Sequence, residues 1–519
     1  MPSVSHSGPA LEALRVPIDW EALGPEGFTI RSVRGKLLIA GGPRRGTING
    51  VYTFLEDVVG CRWYTPEFAV IPEIATLSVG PLNINKVPAF ESRYVHCRAA
   101  KDLDWSARQR FNTFTRDVGS WDRVVNDPKL AGAYRYAGWH AHTMGHNLML
   151  PTAEFDRHPE YFAMQQGERR HDGQACMTNP ELMRFIAGRA EEWIQSDPGA
   201  RIVSISQGDS ADPCQCPDCR TAYEKYGAAG LFMRFVNGVA AEIGERHPDI
   251  LVDTLAYQWT RQPPDDMTMH GNVVVRYAPY VACIYHAYDG CPVNTSQNIY
   301  TDLVQWAAMS RRVWVWSYIL PEHLLHPNPV IGCLGRNFRR MRDAGVKGHF
   351  VQALEGYGQI HGGLQDLQTY LLAKLTWDPD YDVQKCIEEF AGDCYGAAAP
   401  QIVSYVEMLN DRNTYFLEDR GLGIYDDLYG GHRAKTPIKK DKLGEMDRLF
   451  DEAEEAVADD PETLRRIRTV RLSVQYAILT YADKDDPLRE KAARGVRSLV
   501  KDAALPTTDP FIASVMERG

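Results

Sequence analysis

The sequence predicts an α/β protein: a (β/α)8-type barrel over residues 89–377, a small α/β domain before it (residues 1–88) and a helical domain after it (residues 378–519). Three observations predict this. Between Phe90 and Trp377, short apolar runs alternate with amphipathic stretches of helical length, which is the rhythm of a parallel sheet with crossover helices. The segments that follow the apolar runs are long, which favours a barrel over a flavodoxin-like or doubly wound sheet. Beyond Trp377 the apolar residues recur at helical spacing.

The small leading domain rests on two short strands, Phe28 to Val33 and Lys36 to Ala40, separated by a turn at Arg34-Gly35. From Gly46, residues Ile48, Val51, Tyr52, Leu55, Val58 and Val59 share one helical face, and Gly60 is suited to cap the helix because glycine tolerates the left-handed backbone of that position. A further strand is expected to run into Leu77-Ser-Val79.

Seven barrel strands can be read from Phe90 onward: 92–97, an irregular one within Tyr134 to His146, 201–206, 251–257, 272–277, 313–318 and 348–353. The eighth has to be inferred. Helices are expected over 180–195, 231–246, 300–309 and 330–344, between the strands. In the third domain, 382–394, 400–410, 442–457 and 461–482 read as amphipathic helices.

Composition narrows the function classes. A chain of 519 residues exceeds what one core usually organises, so two or three domains are expected. The net charge of −11 argues against a general nucleic-acid binder, which needs a basic face. It leaves a neutral ligand such as a sugar open, and 11 Trp and 25 Tyr can supply the aromatic faces that grip one. No apolar stretch reaches the roughly 20 residues of a membrane helix. Residues Met1 to Leu14 carry no basic segment followed by an apolar run, so no secretory signal peptide is expected. The chain would be cytoplasmic if complete, and secreted or periplasmic if its start is truncated.

Polar residues gather where the strands end. Ser204-Ile-Ser-Gln207-Gly-Asp209 opens an apolar strand into an amide and a carboxylate across a glycine, a way for a barrel to present an acid to a pocket. A capping Asp at a strand-to-loop turn would read the same. Glu355 follows the last strand in a loop rich in glycine, where a solvent-exposed Glu is the commoner finding. Tyr257, Trp316 and Tyr318 close two strands and can stack on a pyranose ring or plug the barrel mouth. His140, His142 and His146, followed by Asn147, could hold a metal. Carboxylate ligands are not nearby, so hydrogen bonding to sugar hydroxyls by His140, His142 and Asn147 is the preferred reading. A glycosidase needs two carboxyl functions, or one with help from the substrate, and Asp209 and Glu355 come from different strands. Cys214, Cys216 and Cys219 form a Cys-x-Cys-x2-Cys cluster that suits a structural zinc with a fourth ligand from elsewhere. Reduced or disulfide-linked loop cysteines are the alternative. No cofactor is expected for catalysis.

Several motifs together resemble a family of unknown function, numbered 4838: His158 to Ala163, Gln174 to Pro180, Ser204 to Asp209, Cys214 to Cys219, Asp253 to Tyr257, Asn272 to Arg276 and Tyr370 to Pro379. The resemblance covers roughly Phe90 to Gly396. That group includes glycoside hydrolase family 163, which implies endo-β-N-acetylglucosaminidase action on complex N-glycans by substrate-assisted retention. The segment Gly41 to Pro66 resembles the small domain preceding the barrel in hexosaminidases and α-glucuronidases. Three departures stand out: Gly208 where the family often has Asn, Ser317 where it often has Asp, and Ser210 where family 20 hexosaminidases, which share the barrel plan, carry the acid Glu after the orienting Asp.

The expectation is therefore a retaining glycosidase for β-linked N-acetylhexosaminides. Asp209 would orient the acetamido group or the acid, and Glu355 would serve as the acid, with His140, His142, Asn147, Gln207, Tyr257, Trp316 and Tyr318 around an oligosaccharide. Two alternatives are a glycosidase for a uronic acid or non-acetylated sugar, with Arg276 or Arg261 meeting a carboxylate, and a carbohydrate-binding barrel without catalysis.

Overall fold

A computed structural model describes residues 14–115, 127–145, 147–319, 327, 329–353, 363–411, 438–502 and 505–518. Among the described residues, eight parallel strands form the central sheet: β1 (Ser92–His96), β2 (Thr113–Phe114), β3 (Tyr134–Ala137), β4 (Ile202–Ser204), β5 (Leu251–Ala256), β6 (Val273–Tyr277), β7 (Val313–Tyr318) and β8 (Gly348–Gln352). Hydrogen-bonded neighbours run β1-β8-β7-β6-β5-β4-β3-β2, so the two edges of the curled sheet are β1 and β2. Asn112 nearly closes the barrel there. Its N–H donates to Arg93 O at 3.1 Å, and its side-chain oxygen accepts from Arg93 N at 2.8 Å. The Ser92 and Thr113 hydroxyls meet at 2.7 Å beside it.

The strand that the sequence leaves to inference is β2. At two residues it is too short to show alternation. The irregular strand expected before His146 is β3, regular only as far as Ala137. It ends because Gly138 turns to φ +71, and a Cβ there would lie 2.0 Å from the Trp193 ring.

The pleat sorts side chains into lumen and helix layers. Tyr134, Tyr136, Ile202, Val274 and Trp314 fill the lower lumen as one cluster. Val203, Val252, Val275, Val313, Val315 and Val351 point outward into the main core beneath the helices. The helix Pro180–Ser196 opens on Asn179, whose side-chain oxygen accepts from the N–H groups of Glu181 and Leu182, with proline at the first position. The helix expected from Leu231 starts earlier, at Pro217, and breaks at Gly227, where φ is +68.

In the N-terminal unit, Phe28–Val33 lies between Lys36–Gly41 and Asn83–Lys86, antiparallel to both. The strand expected at Leu77–Val79 is absent and Asn83–Lys86 takes its role. The chain approaches through Gly80 and Pro81, where Ser32 Oγ donates to Gly80 O at 3.0 Å and proline offers no ladder donor. The helix Gly46–Phe54 ends in a π-turn, Leu55–Val59, and Gly60 (φ +91) caps it as expected.

Two carboxylates of this unit reach buried cations of the barrel. Glu26 pairs with Arg93 and accepts from Asn112 Nδ2 at 2.8 Å. Glu56 pairs with Arg110 and with Lys374 at 2.5 Å. Burial alone would raise the Glu56 carboxyl, but Arg110 and Lys374 hold it down at about 2. After the last barrel helix, Gln365–Trp377, come Val383–Tyr395, Ala399–Asn410, Lys440–Ala456, Pro461–Tyr481, Pro487–Asp502 and Pro510–Arg518, a helical bundle as the sequence predicts. Tyr64 donates to Asp393 at 2.6 Å, linking the first unit to this bundle. No helix among the described residues is long and apolar enough to cross a membrane.

The Glu56 cluster makes stability pH-dependent with a definite sign. A carboxyl whose folded value lies below its unfolded value of about 4.3 stabilises above that pH, and the contribution is lost as pH falls toward about 2. Glu56→Gln is expected to cost about 3–5 kcal/mol near neutrality, because it leaves buried cations unpaired. It should also flatten the loss of stability across that acid window. Denaturant titrations of parent and variant at stepped pH would check both.

Candidate functional site

Among the described residues, the C-terminal mouth of the barrel is assembled from the loops that follow β3 to β6 and from the ends of β7 and β8. The chain leaves β4 through Ile205 and Ser206, and a ladder of polar contacts joins it to the loop after β3. Thr143 Oγ1 donates to Ser204 O at 2.8 Å, Ser206 N donates to Thr143 Oγ1 at 3.0 Å, and Met144 N donates to Ser206 O at 2.9 Å. The two loops then meet backbone to backbone. A Cβ on Gly208 would sit 3.3 Å from Gly145 Cα, and one on Gly145 would sit 2.7 Å from Gly208 Cα. That close approach requires glycine at position 145 and leaves little room for a side chain at 208.

Asp209 is exposed at the end of this loop. Its Oδ1 accepts from Tyr257 Oη and from Gln258 Nε2, each at 3.2 Å, so the ends of β4 and β5 are joined through the carboxylate. Gln174 holds the loop from behind. Its side chain accepts from Gly208 N at 2.9 Å and donates to Gly208 O and Ser210 O, each at 2.8 Å. Ser210 Oγ accepts from Asp212 N at 3.3 Å, inside its own turn. Gln207 is buried and donates to Tyr257 O at 2.9 Å and Thr260 Oγ1 at 2.7 Å, so its amide builds the wall that carries Tyr257. The His142 ring lies 5.7 Å from Tyr257, and its Nδ1 is 3.3 Å from Gln207 O.

The opposite wall is aromatic. On β7, Trp316 and Tyr318 face the lumen, with ring centroids 6.2 Å apart. Trp316 packs 4.4 Å from Phe350 and 5.9 Å from the buried His140 ring, and donates to Gln352 Oε1 at 2.9 Å. Tyr257, Trp316 and Tyr318 share one apolar cluster with Ala141, Leu255 and Ala278, so the two walls are continuous. Alternation along β7 puts Ser317 on the other face, toward Tyr288. A side chain at that position does not reach the lumen.

Beneath Trp316 lies a fully buried ion pair. Arg276 Nη2 is 2.5 Å from Asp253 Oδ2, both residues are 0% exposed, and the guanidinium sits 4.9 Å from the Trp316 ring centroid. Arg276 also donates to the carbonyl of His140. Burial pushes the Asp253 carboxyl up to about 6, with Arg276 opposing. Arg261 is engaged as well, by Asp302 at 2.5 Å.

The structure thus brings Asp209, Gln207, His142 and Tyr257 together on one side and His140, Trp316 and Tyr318 on the other. Asn147 stands apart: it is exposed, has φ +59, and its side-chain oxygen caps Thr152 N at 2.6 Å. Glu355 and His146 lie outside the described residues. Sequence reasoning missed Gln174, Phe350 and Gln352. Gln174 had a signal, since it stands two residues before Cys176 in the family-like motif Gln174 to Pro180.

Cys176 brings a fourth thiol to the cysteine cluster. Its Sγ lies 3.7 Å from Cys216 Sγ and 3.8 Å from Cys219 Sγ, and with Cys214 the four buried sulfurs all lie within 4.8 Å of one another. A tetrahedral zinc with Zn–S bonds of about 2.3 Å spaces its sulfurs about 3.8 Å apart. The surroundings suit thiolates: Met164 N approaches Cys214 Sγ at 3.3 Å and Arg169 Nη1 approaches it at 3.7 Å. Hydrogen bonds from Cys214 and Cys219 lower the Cys176 thiol, and the same contact pushes Cys214 up to about 11. The cluster can coordinate a structural metal ion, and that ion would tie the turn around Cys176 to the loop that carries Asp209.

The same overall fold occurs in solved glycoside hydrolases. A family 115 4-O-methyl-α-glucuronidase with specificity for decorated arabinogalactans superposes with a TM-score of 0.56 at 13% identity, over 97% of this chain and 70% of its own. A family 89 glycoside hydrolase from Clostridium perfringens, in complex with 2-acetamido-1,2-dideoxynojirmycin, gives 0.54 at 10% identity, over 95% and 61%. No curated protein matches the chain. Its family is shown by sequence: the family model described as Domain of unknown function (DUF4838) matches residues 63–407, and the chain belongs to that family.

Two outcomes are expected from the site's supports. Arg276→Met strands Asp253 in the lumen and is expected to cost about 3–5 kcal/mol. A carboxyl whose folded value is raised loses stability as pH rises through that value, so the penalty shrinks at acid pH, where protonated Asp253 needs no partner. Chemical denaturation at several pH values would test this. Cys216→Ser is expected to remove one zinc equivalent and lower Tm, and stripping all metal with a strong chelator is expected to lower Tm by at least as much, as read by elemental analysis and calorimetry.

Proposed function

We propose that the protein is a glycoside hydrolase that binds its sugar at the mouth of the barrel, against Trp316 and Tyr318. The observation that carries this reading is Asp209, an exposed carboxylate at a strand end, held by Tyr257, which shares an apolar cluster with Trp316 and Tyr318. Asp209 orients the substrate, and Glu355, following β8 in sequence, is the proton donor. His142 and the Tyr257 hydroxyl supply hydrogen bonds to sugar hydroxyls, while Gln207 and Gln174 keep the carboxylate in place.

Two readings of the sugar remain in play. On a β-linked N-acetylhexosaminide, Asp209 would hold the acetamido group, whose carbonyl oxygen attacks the anomeric carbon as the leaving oxygen takes a proton from Glu355. The family 89 enzyme, with substrate GlcNAc-α-1,4-galactose, supports an acetamido sugar but not the β linkage. The second reading is a uronic acid or other non-acetylated sugar. The likeness to the 4-O-methyl-α-glucuronidase, with the larger TM-score and the larger share of its own chain matched, gives this reading the better support. Arg276 and Arg261 are already engaged by Asp253 and Asp302, so in this reading neutral donors around Tyr257 would meet the sugar.

A panel of aryl glycosides and released N-glycans would decide. Turnover of glucuronides without N-acetylhexosaminides selects the second reading, and the reverse selects the first. On whichever substrate is cleaved, Asp209→Asn and Glu355→Gln are each expected to lower kcat by about 10²–10⁴-fold. Full activity in both variants would remove these roles. Glycan binding with no reducing sugar released would mark a carbohydrate-binding barrel instead.

A further inference from the structure

A second cluster of metal-type donors lies outside the site already described. The loop between β6 and the helix Ile299–Met309 contains Cys283, His286 and Cys291. Cys283 Sγ is 3.2 Å from His286 Nδ1, Cys291 Sγ is 3.7 Å from the same nitrogen, and the three donor atoms lie within 4.8 Å of one another. On a tetrahedral zinc, with bonds of about 2.3 Å to sulfur and 2.0–2.1 Å to nitrogen, the sulfur–nitrogen edge is about 3.6 Å. The observed separations bracket that value.

We propose that Cys283, His286 and Cys291 bind a zinc-class divalent ion. Two thiols and an imidazole are the donor set for a borderline-soft metal, whereas calcium and magnesium require oxygen ligands. The site is built before any ion arrives. Asn294 Oδ1 accepts from Cys283 N at 2.7 Å, and Asn294 Nδ2 donates to Cys283 O and Ala287 O, each at 3.3 Å. Tyr288 N donates to Asn337 Oδ1 at 2.8 Å, anchoring the loop to the helix Ile331–Asp343. Both cysteines are buried and His286 is half-buried, which leaves an entry path for the ion. Cys333 is not a ligand, because its thiol is directed at the carbonyls of Ile284 and Val330, 3.4 and 3.3 Å away. Among the described residues three donors converge, which leaves the fourth position of a tetrahedral ion open. The ion closes the loop into a ring, and the same loop sets Tyr280 5.1 Å from Tyr257. This site shares no ligand with the four-cysteine cluster, and its role is to staple the β6 loop behind the mouth of the barrel.

The test is zinc stoichiometry of the full chain, produced with added zinc and then dialysed. Cys283→Ser/Cys291→Ser and, separately, His286→Ala are each expected to lose about one zinc equivalent relative to the parent, while Cys216→Ser loses a different one, so that the losses add. Cobalt loading of the parent should give thiolate charge-transfer bands, and the part lost in His286→Ala should have about half the intensity per ion of the part lost in Cys216→Ser, reflecting two thiolates against four. His286→Ala removes a half-buried side chain, and the cobalt spectrum of the unmutated chain needs no variant at all. Unchanged metal content in both variants would overturn the proposal. So would a Cys283–Cys291 disulfide in the parent, detected by alkylation and mass spectrometry without reductant.

Discussion

The mouth of the barrel depends on an ion pair that no substrate needs to touch. Asp253 and Arg276 lie side by side in the lumen, one on β5 and the other on β6, with no exposed surface. Burying two charges is expensive, and the cost is offset only if their geometry is good and their other contacts are useful. Here the guanidinium underlies Trp316 and holds the carbonyl of His140, so one cation fixes the aromatic floor and the loop after β3 together. An apolar residue of the same volume could fill the lumen, but it could not direct both.

The Asp209 loop is held by a different logic. Its strand, β4, is only three residues long, so the ladder alone positions little of the chain beyond it. The loop is fixed from outside the sheet by the Gln174 amide, by the contact between Gly145 and Gly208, and by the cysteine cluster a few residues further along. Gln174 and Cys176 reach the same loop from one short segment, so whatever orders that segment also orders the carboxylate. The fold by itself does not specify a function, and these local supports set where the Asp209 loop lies.

Much of this was legible in the chain. Alternation of apolar runs and amphipathic stretches marked seven strands, because a strand buried on both faces must be apolar along its length. Asp209, Tyr257, Trp316 and Tyr318 lie at strand ends as their positions in the chain imply, because polar and aromatic residues stop an apolar run where the lumen opens. Ser317 could be misjudged as a lost acid only while its face was unknown; the pleat turns it away from the mouth. Asn147 read as a site residue because of its histidine neighbours, yet in the structure it caps a turn. β2 was invisible because two residues carry no period.

The sequence by itself determined the order of elements, the apolar barrel and the local Cys-x-Cys-x2-Cys cluster, since each is written in spacing along the chain. Only the tertiary structure decided what meets across distance. It placed Cys176 against sulfurs some forty residues later, Asp253 against Arg276, and Asp209 against Tyr257. The physical reason is that such contacts are set by barrel register and loop packing, and these emerge only when every strand has its neighbours.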